Sequence, residues 1–569
     1  MFGYSAAYFS AARESWIIRR MSHTHLAQRG EHCRLLKMSA GLDAPASMAA
    51  RACRSRMPLQ LQTYTGAVSG RLPAKIANAN DVATHLQLDK LPVRAGEAYE
   101  QAMDALLLSR LQFAFTIGWH IVFPSFTIGL ASFLAVLEGL WLRTGRERFK
   151  ILYLFWVKVF ALSFGMGVVS GVVMSYQFGA NWSVFSARTG PVLGPLLAFE
   201  VLVAFFMEAS FLGVMLFGWK KVGPGLHFLA TCVVALGTLV SAFWIIAANS
   251  WMQFPVAFHL DAAGRFIADS WPRVIFSPTF PTRFAHMVLA AYLSTALMVA
   301  AASAFQLLKQ PGQPESRTAL RMAILMFAIV APLQLLVGDA SGKVVARLQP
   351  SKLAAIEAFW QTRAEQPFNL VAWPDRRTQR NDWAVSVPKL GSLITHGSAS
   401  AVVKGLGAFA PADQPPAAVV FWAFRVMVGL GLLMIVQGIW GAWLWLRGRL
   451  DRTPLFLRLC VLMGPAGFVA VIAGWTTAEV GRQPYVVFGA LRTAAAGSAI
   501  HAGQVSVSLA AFLVVYAVVF SVGALYILRL IAEGPLLGAR DQPPPVPRAP
   551  GSPLAAAPGA EPGPPEPAP

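Results

Sequence analysis

Residues 418–446 read AVVFWAFRVMVGLGLLMIVQGIWGAWLWL. One charge, Arg425, interrupts a run long enough to cross a hydrocarbon core about 30 Å thick. Directly behind it come Arg447, Arg449 and Arg452. An apolar run closed by a basic cluster is the pattern of a transmembrane helix ending at the cytoplasmic face. Working outward, eight more such runs occur, at about 113–142, 153–178, 193–219, 225–248, 284–308, 320–338, 455–475 and 503–531. Most carry glycine and scattered polar residues, which suits helices that pack on one another as well as on lipid. The expected fold is an all-α integral membrane protein, about nine transmembrane helices in a bundle.

Composition agrees. The chain has 569 residues, of which 56% are hydrophobic and 13% charged. A soluble domain carries about 25% charged residues, so an ordinary soluble enzyme is excluded. The formal charge is nevertheless +20, and its distribution says what it is for. One set of short connections holds 15 basic residues, from Arg143 through Lys220, Lys309 and Arg449 to Arg540; the opposite short loops hold six, Arg188, Arg265, Arg273, Arg283, Arg482 and Arg492. The positive-inside rule then puts the N-terminal end of the first span outside and the C-terminus in the cytoplasm. The basic surplus marks membrane orientation, and no nucleic-acid partner is expected. Four cysteines (Cys33, Cys53, Cys232, Cys460) form no CxxC pair and no metal spacing.

The expected organisation has five parts. Residues 1–102, with 13 Lys/Arg against 7 Asp/Glu, read as a disordered basic extension or a mis-assigned start. Residues 103–338 hold spans one to six, 339–417 form a long extracytoplasmic loop, and 418–540 hold spans seven to nine. Residues 541–569 are a disordered Pro-rich tail.

Ionisable groups inside spans are costly and therefore functional candidates. They are His120 and Glu138 in the first span, Lys158 in the second, Glu200 and Glu208 in the third, His286 opening the fifth, Arg425 in the seventh and Glu479 just past the eighth. Glu138 and Lys158 lie near cytoplasmic ends, where they are expected to snorkel. Glu200 and Glu208, eight apart, are expected to face one way as a carboxylate track for protons. His120, Glu200, His286, Met427 and Glu479 come from five spans yet share one depth zone toward the outer side. Of ten histidines His120 and His286 lie well within spans, and His227 and His501 sit near span ends. That is too few for a haem–copper oxidase, or for a cytochrome b with two His pairs. A haem protein with this inventory must use Met or Glu as some of its axial ligands.

Specific strings then appear in order: SRLQFAFTIGWHIVFP (Ser109–Pro124), PLLAFEVLVAFFMEAS (Pro195–Ser210), RFAHMVLAAY (Arg283–Tyr292), GDASG (Gly338–Gly342), KLAAIEAFW (Lys352–Trp360), FWAFRVM (Phe421–Met427) and AGWTTAEVGRQPY (Ala473–Tyr485). Together they resemble subunit I of the cytochrome bd-type quinol oxidases, from about Met103 to Ala532. The long loop is similar to the family's quinol-binding Q-loop in the short-loop, cyanide-insensitive branch. GRQPW in the family reads GRQPY here, with Tyr485 in the aromatic slot.

The resemblance implies a terminal oxidase that oxidises membrane quinol at the outer face and reduces dioxygen to water, building proton-motive force without a pump. It implies three haems. His286 and Met427 match the axial pair of low-spin haem b. His120 and Glu479 match the ligands of two high-spin haems: a haem b, and a haem d or a third haem b in its place. Arg425 and Arg482 match propionate partners, and Trp475 an aromatic between haems. Glu200 and Glu208 match proton-relaying carboxylates, and Lys352 and Glu357 quinol-binding residues. Subunit II is the implied partner, with a small single-span subunit in some members, and the bacterial cytoplasmic membrane the implied location. The alternative from another class is a haem-free proton-coupled transporter. Such folds often carry inverted repeats, and no internal repeat is evident.

Overall fold

The computed structural model describes residues 91–535, with side chains from Asp104 onward. Among the described residues nine helices are long and apolar enough to cross a membrane. They are α1 (Leu91–Thr144), α2 (Glu147–Ala180), α3 (Ser183–Phe217), α4 (Pro224–Gln253), α5 (Phe280–Lys309), α6 (Pro314–Leu348), α8 (Ala417–Leu446), α9 (Pro454–Val480) and α10 (Ala502–Glu533). A short helix, α7 (Pro350–Glu357), follows α6. The expected nine-helix bundle is the observed architecture.

Several boundaries differ from expectation. α1 begins at Leu91, inside the segment expected to be an extension. Pro92 is tolerated in a first turn, and the AGEAYEQAMDA stretch is rich in good helix formers. The rest of the expected extension and the Pro-rich tail lie outside the described residues. α6 runs ten residues past 338, because DASGKVVARL tolerates a single glycine and no proline comes before Pro350. The loop therefore starts at 349 rather than 339. Glu479, expected just beyond the eighth span, is still in the helix.

α5 is the axis of the bundle. It packs against α1, α4, α6 and α9, and 67% of its most apolar window is buried, against 17% for α8 and for α10. Close crossings make this possible. A Cβ on Gly129 of α1 would stand 2.4 Å from Thr295 Oγ1 of α5, and one on Gly467 of α9 would stand 2.7 Å from the Ser294 Cα. At such crossings small residues let backbones approach. The inner half of the core is aliphatic and aromatic, built on Leu130, Tyr153, Trp156, Phe160, Leu320 and Phe456.

Three antiparallel hairpins lie outside the helices: β1 (Phe258–Leu260) with β2 (Phe266–Ala268), β3 (Phe368–Asp375) with β4 (Arg380–Val387), and β5 (Tyr485–Val487) with β6 (Leu491–Arg492). All three sit at one end of the bundle, the end that also carries the 349–416 loop. That loop is anchored, not free. Leu353, Ile356, Phe359, Trp360, Val403 and Leu406 form one core with Ala417 and Val420 at the start of α8.

Candidate active site at the loop-bearing end

α5 carries His286 and α8 carries Met427, each toward the loop-bearing end. On one side of His286 stands α6: Gln334 Nε2 is 3.2 Å from His286 Nε2. A Cβ on Gly338 would come within 3.3 Å of His286 Cε1. His286 Nδ1 is buried and has no partner among the described residues. Met427 faces Gly474 of α9, where a Cβ would lie 2.8 Å from the sulfur. Trp475 follows directly. Two candidate axial ligands, each backed by a glycine that leaves room for its ring or thioether, suit a planar group.

His120 of α1 has a defined tautomer. Its Nδ1 is 2.9 Å from Ser170 Oγ of α2, and that hydroxyl donates its proton to the Gly167 carbonyl. The hydroxyl can then only accept from the ring, so Nδ1 carries the hydrogen and Nε2 keeps a lone pair. A hydrogen bond that holds the far ring nitrogen in this way is the support expected of a metal-binding histidine. Gly171 presses close to the ring, its Cβ position 3.3 Å from Cε1.

Glu479 is the centre of a buried polar cluster. Its carboxylate accepts from Asn249 at 3.1 Å and Gln253 at 3.0 Å, both on α4, and is ion-paired with Arg482. Arg283 Nη2 lies 3.9 Å away and donates to Asn249. Lys352 enters from α7, donating to Gln349 at 2.7 Å and to Gln253. Arg482 Nε and Nη1 and Arg283 Nε are buried without partners among the described residues. Unpaired buried donors are expensive, and a cluster of them beside haem-ligand candidates matches the need of propionate groups.

Glu200 and Glu208 both face α4. Ser241 donates to Glu200 at 2.8 Å, and one turn earlier on α4 a Cβ at Gly237 would stand 2.6 Å from Glu208 Cγ. The expectation that the two carboxylates face one way holds, but not for the reason that spacing alone suggests. In a regular α-helix eight residues overshoot two turns by about 80°. Residues Glu200–Phe205 instead form a π-helical turn. The π turn absorbs one residue, so a spacing of eight acts as seven and falls close to two turns.

Glu357 and Arg425 were expected in different roles, the first toward quinol and the second toward a propionate. In the structure they pair with each other, Arg425 Nη2 donating to Glu357 Oε2 at 2.7 Å. Arg425 also donates to the Asn369 carbonyl and lies over the Phe421 and Phe368 rings at 4.4 and 4.7 Å. Its Nη1 has no partner among the described residues. Lys352 and Glu357 do not share a face. Five residues apart in a helix is about 140° of rotation, so Lys352 points into the Glu479 cluster and Glu357 toward α8. Burial pushes the Lys352 ammonium well below its ordinary range, with Arg283 and Arg482 adding to the effect and Glu479 opposing it. Burial pushes the Glu357 carboxyl up, and Arg425 opposes it.

The snorkelling expected of Glu138 is not observed: the residue is fully buried and bonded to His227 and Thr231. Lys158 is exposed. Residues that the sequence did not single out are Ser170, Gln334, Ser241, Asn249, Gln253 and Gln349. Ser241, Asn249 and Gln253 lie along one side of α4, a periodicity that was there to be read.

The fold and site define a multi-pass membrane bundle with candidate haem ligands gathered at one end. The family described as cytochrome bd terminal oxidase subunit I matches residues 108–535. The chain is 34% identical over 513 residues to the cytochrome bd-II ubiquinol oxidase subunit 1 of Escherichia coli (strain K12), covering 77% of this chain and 99% of the relative. It is 34% identical over 443 residues to the cytochrome bd ubiquinol oxidase subunit 1 of Bacillus subtilis (strain 168), covering 76% and 94%. A solved structure of the bd oxidase from Geobacillus thermodenitrificans superposes with a TM-score of 0.71 at 30% identity, covering 76% of this chain and all of that one. The chain belongs to the cytochrome bd terminal oxidase subunit I family. Membership implies haem cofactors and a respiratory oxidoreductase, and it decides against a haem-free transporter.

Proposed function

We propose that the chain is the subunit of a bacterial inner-membrane oxidase that takes electrons from membrane quinol at the loop-bearing, outer face and delivers them to dioxygen. The single observation that carries this reading is the convergence of His120, His286, Met427 and Glu479, from four different helices, at the end of the bundle that carries the anchored loop. The glycines behind three of them and the unpaired arginine donors nearby fit haem.

His286 and Met427 would hold low-spin haem b. His120, through Nε2, and Glu479 would hold the high-spin pair, one a haem b and the other a haem d or a third haem b. Bound haem supplies the one-electron carriers and the iron at which dioxygen is reduced. Arg425, Arg482 and Arg283 would bind propionates as planar donors. Glu357, held by Arg425, is the acceptor for the quinol hydroxyl proton. Lys352 supports the site from inside, fixing Gln253 and through it Glu479.

Protons for water formation come from the opposite face. Glu208 and then Glu200, both against α4, pass them outward. Taking protons up on the inner side and releasing quinol protons on the outer side separates charge without a pump. Subunit II is the partner, with a small single-span subunit in addition in some assemblies.

The test is Met427→Leu in the purified complex. A branched hydrocarbon keeps the packing and removes the thioether, so the low-spin component of the reduced-minus-oxidised spectrum should disappear while the high-spin bands remain. An unchanged low-spin signal would remove Met427, and the axial pair with it, from the reading.

A further inference from the structure

Four spans meet at the end of the bundle opposite the loop in a polar cluster that the haem and quinol chemistry leaves unused. Glu138 of α1, Tyr153 of α2, and His227 and Thr231 of α4 are each no more than 1% exposed. His227 Nδ1 is 2.6 Å from Glu138 Oε1, and its Nε2 is 3.2 Å from the Met215 carbonyl of α3. Thr231 donates to Glu138 Oε2 at 2.5 Å. Its hydrogen is thereby committed, so the Tyr153 hydroxyl, 2.9 Å away, donates to Thr231.

A carbonyl oxygen only accepts, so the 3.2 Å contact to Met215 is a hydrogen bond when His227 Nε2 carries the hydrogen. With Nε2 protonated, a neutral ring would turn a bare lone pair on Nδ1 toward a carboxylate that is also only an acceptor. At 2.6 Å that contact needs a proton between the two atoms. His227 and Glu138 therefore hold one transferable proton, as imidazolium beside carboxylate or as imidazole beside carboxylic acid.

The position of this pair gives it a use. At 100° per residue, His227, Thr231, Thr238, Ser241, Asn249 and Gln253 fall within an arc of about 120° on α4. They make a polar stripe along the whole span. Along it lie Glu138 at Thr231, Glu200 at Ser241, and Glu479 at Asn249 and Gln253, with Glu208 at Gly237, about 40° beyond its edge. From Thr231 to Gly237 is a rise of about 9 Å, the distance a proton has to cover along α4 between the two carboxylates.

We propose that the His227–Glu138 pair is the proton-loading site at the inner mouth of this stripe, feeding Glu208. The proposal rests on the reading that Glu208 and Glu200 carry the protons consumed at the outer end. An incoming proton makes the pair imidazolium plus carboxylic acid. One proton then leaves outward through the Thr231 side, and the pair returns to its one-proton state. Reduction of one dioxygen by four electrons from two quinols repeats this four times and yields two waters; no electron passes through the pair.

The experiment compares Glu138→Gln, Glu138→Asp, His227→Gln and Glu208→Gln in the complete oxidase complex, measuring oxygen consumption per haem and its solvent deuterium isotope effect. Glu138→Gln and His227→Gln should slow turnover per haem by roughly ten-fold or more and raise the isotope effect, with haem spectra unchanged. Glu138→Asp keeps a titrating carboxyl and should be faster than the better-fitting Gln. If Gln equals or exceeds Asp, or if losses track haem content with turnover per haem unaltered, the cluster is a clamp between helices and the proposal falls. If Glu208→Gln is slow while the Glu138 and His227 variants run at the parent rate, the proposal falls and the Glu208 route stands. If Glu208→Gln runs at the parent rate, the route itself fails.

Discussion

Arg425 and Glu357 illustrate what single residues could and could not reveal. Both were recognisable as candidates, one a lone charge in an apolar span and the other a carboxylate in a short helix. Their pairing was not recognisable, because it depends on where the loop folds back. Pro350 starts α7, Ala358 ends it in the left-handed region at φ 52°, and Glu357 is thereby turned to α8. The pair has a consequence for pH. Burial raises the Glu357 carboxyl, and the guanidinium holds it down. Arg425→Met removes the opposing charge, so the carboxyl should rise further. A group that must be ionised to accept a quinol proton is lost as pH falls through its pKa. The acid limb of the turnover–pH profile, taken per low-spin haem, should therefore move to higher pH in the variant. A limb that stays in place would show that Glu357 is not the acceptor.

At the scale of elements, the nine spans were legible because a run of twenty apolar residues has few other uses. Span ends were less so, since helices such as α6 continue into polar sequence until a breaker stops them. Least legible was the π turn of α3. PLLAFEVLVAFFMEAS carries no mark that distinguishes a π turn from an α-helix, yet the turn decides whether Glu200 and Glu208 share a face. It also yields a prediction. Leu202 lies in the turn and is 62% exposed. Deleting it should convert the π turn to regular helix and leave the two carboxylates seven apart, about 20° short of two turns, still against α4. Inserting one alanine after Val203 should instead swing Glu208 about 100° away. Quinol oxidase turnover per haem should survive the deletion within a few-fold and fall at least roughly ten-fold with the insertion. Equal losses in both would mean that the helix phase is not what the turn provides.

At the scale of the whole molecule, the described helices sort by burial. α5 is an inner axis, and α8 and α10 turn apolar flanks outward. Val436 and Ile439 on α8 and Val507 and Val522 on α10 are each at least 60% exposed, as lipid-facing or subunit-facing surface requires. The candidate haem ligands lie at one end and the His227–Glu138 pair at the other, so the direction of insertion fixes which compartment supplies protons. The orientation we propose has the loop-bearing end outside, on the positive-inside rule, since its short loops hold six basic residues against 15 on the other side. This orientation can be tested directly. With the cysteines replaced, Ser398→Cys in the exposed turn of the loop should react with a membrane-impermeant maleimide added to intact spheroplasts. A cysteine at Lys220, in the exposed connection between α3 and α4, should react only after permeabilisation. The reverse pattern would put quinol oxidation on the cytoplasmic side. Proton uptake and release would then fall on the wrong faces, and a bundle with this arrangement could not build proton-motive force by charge separation alone.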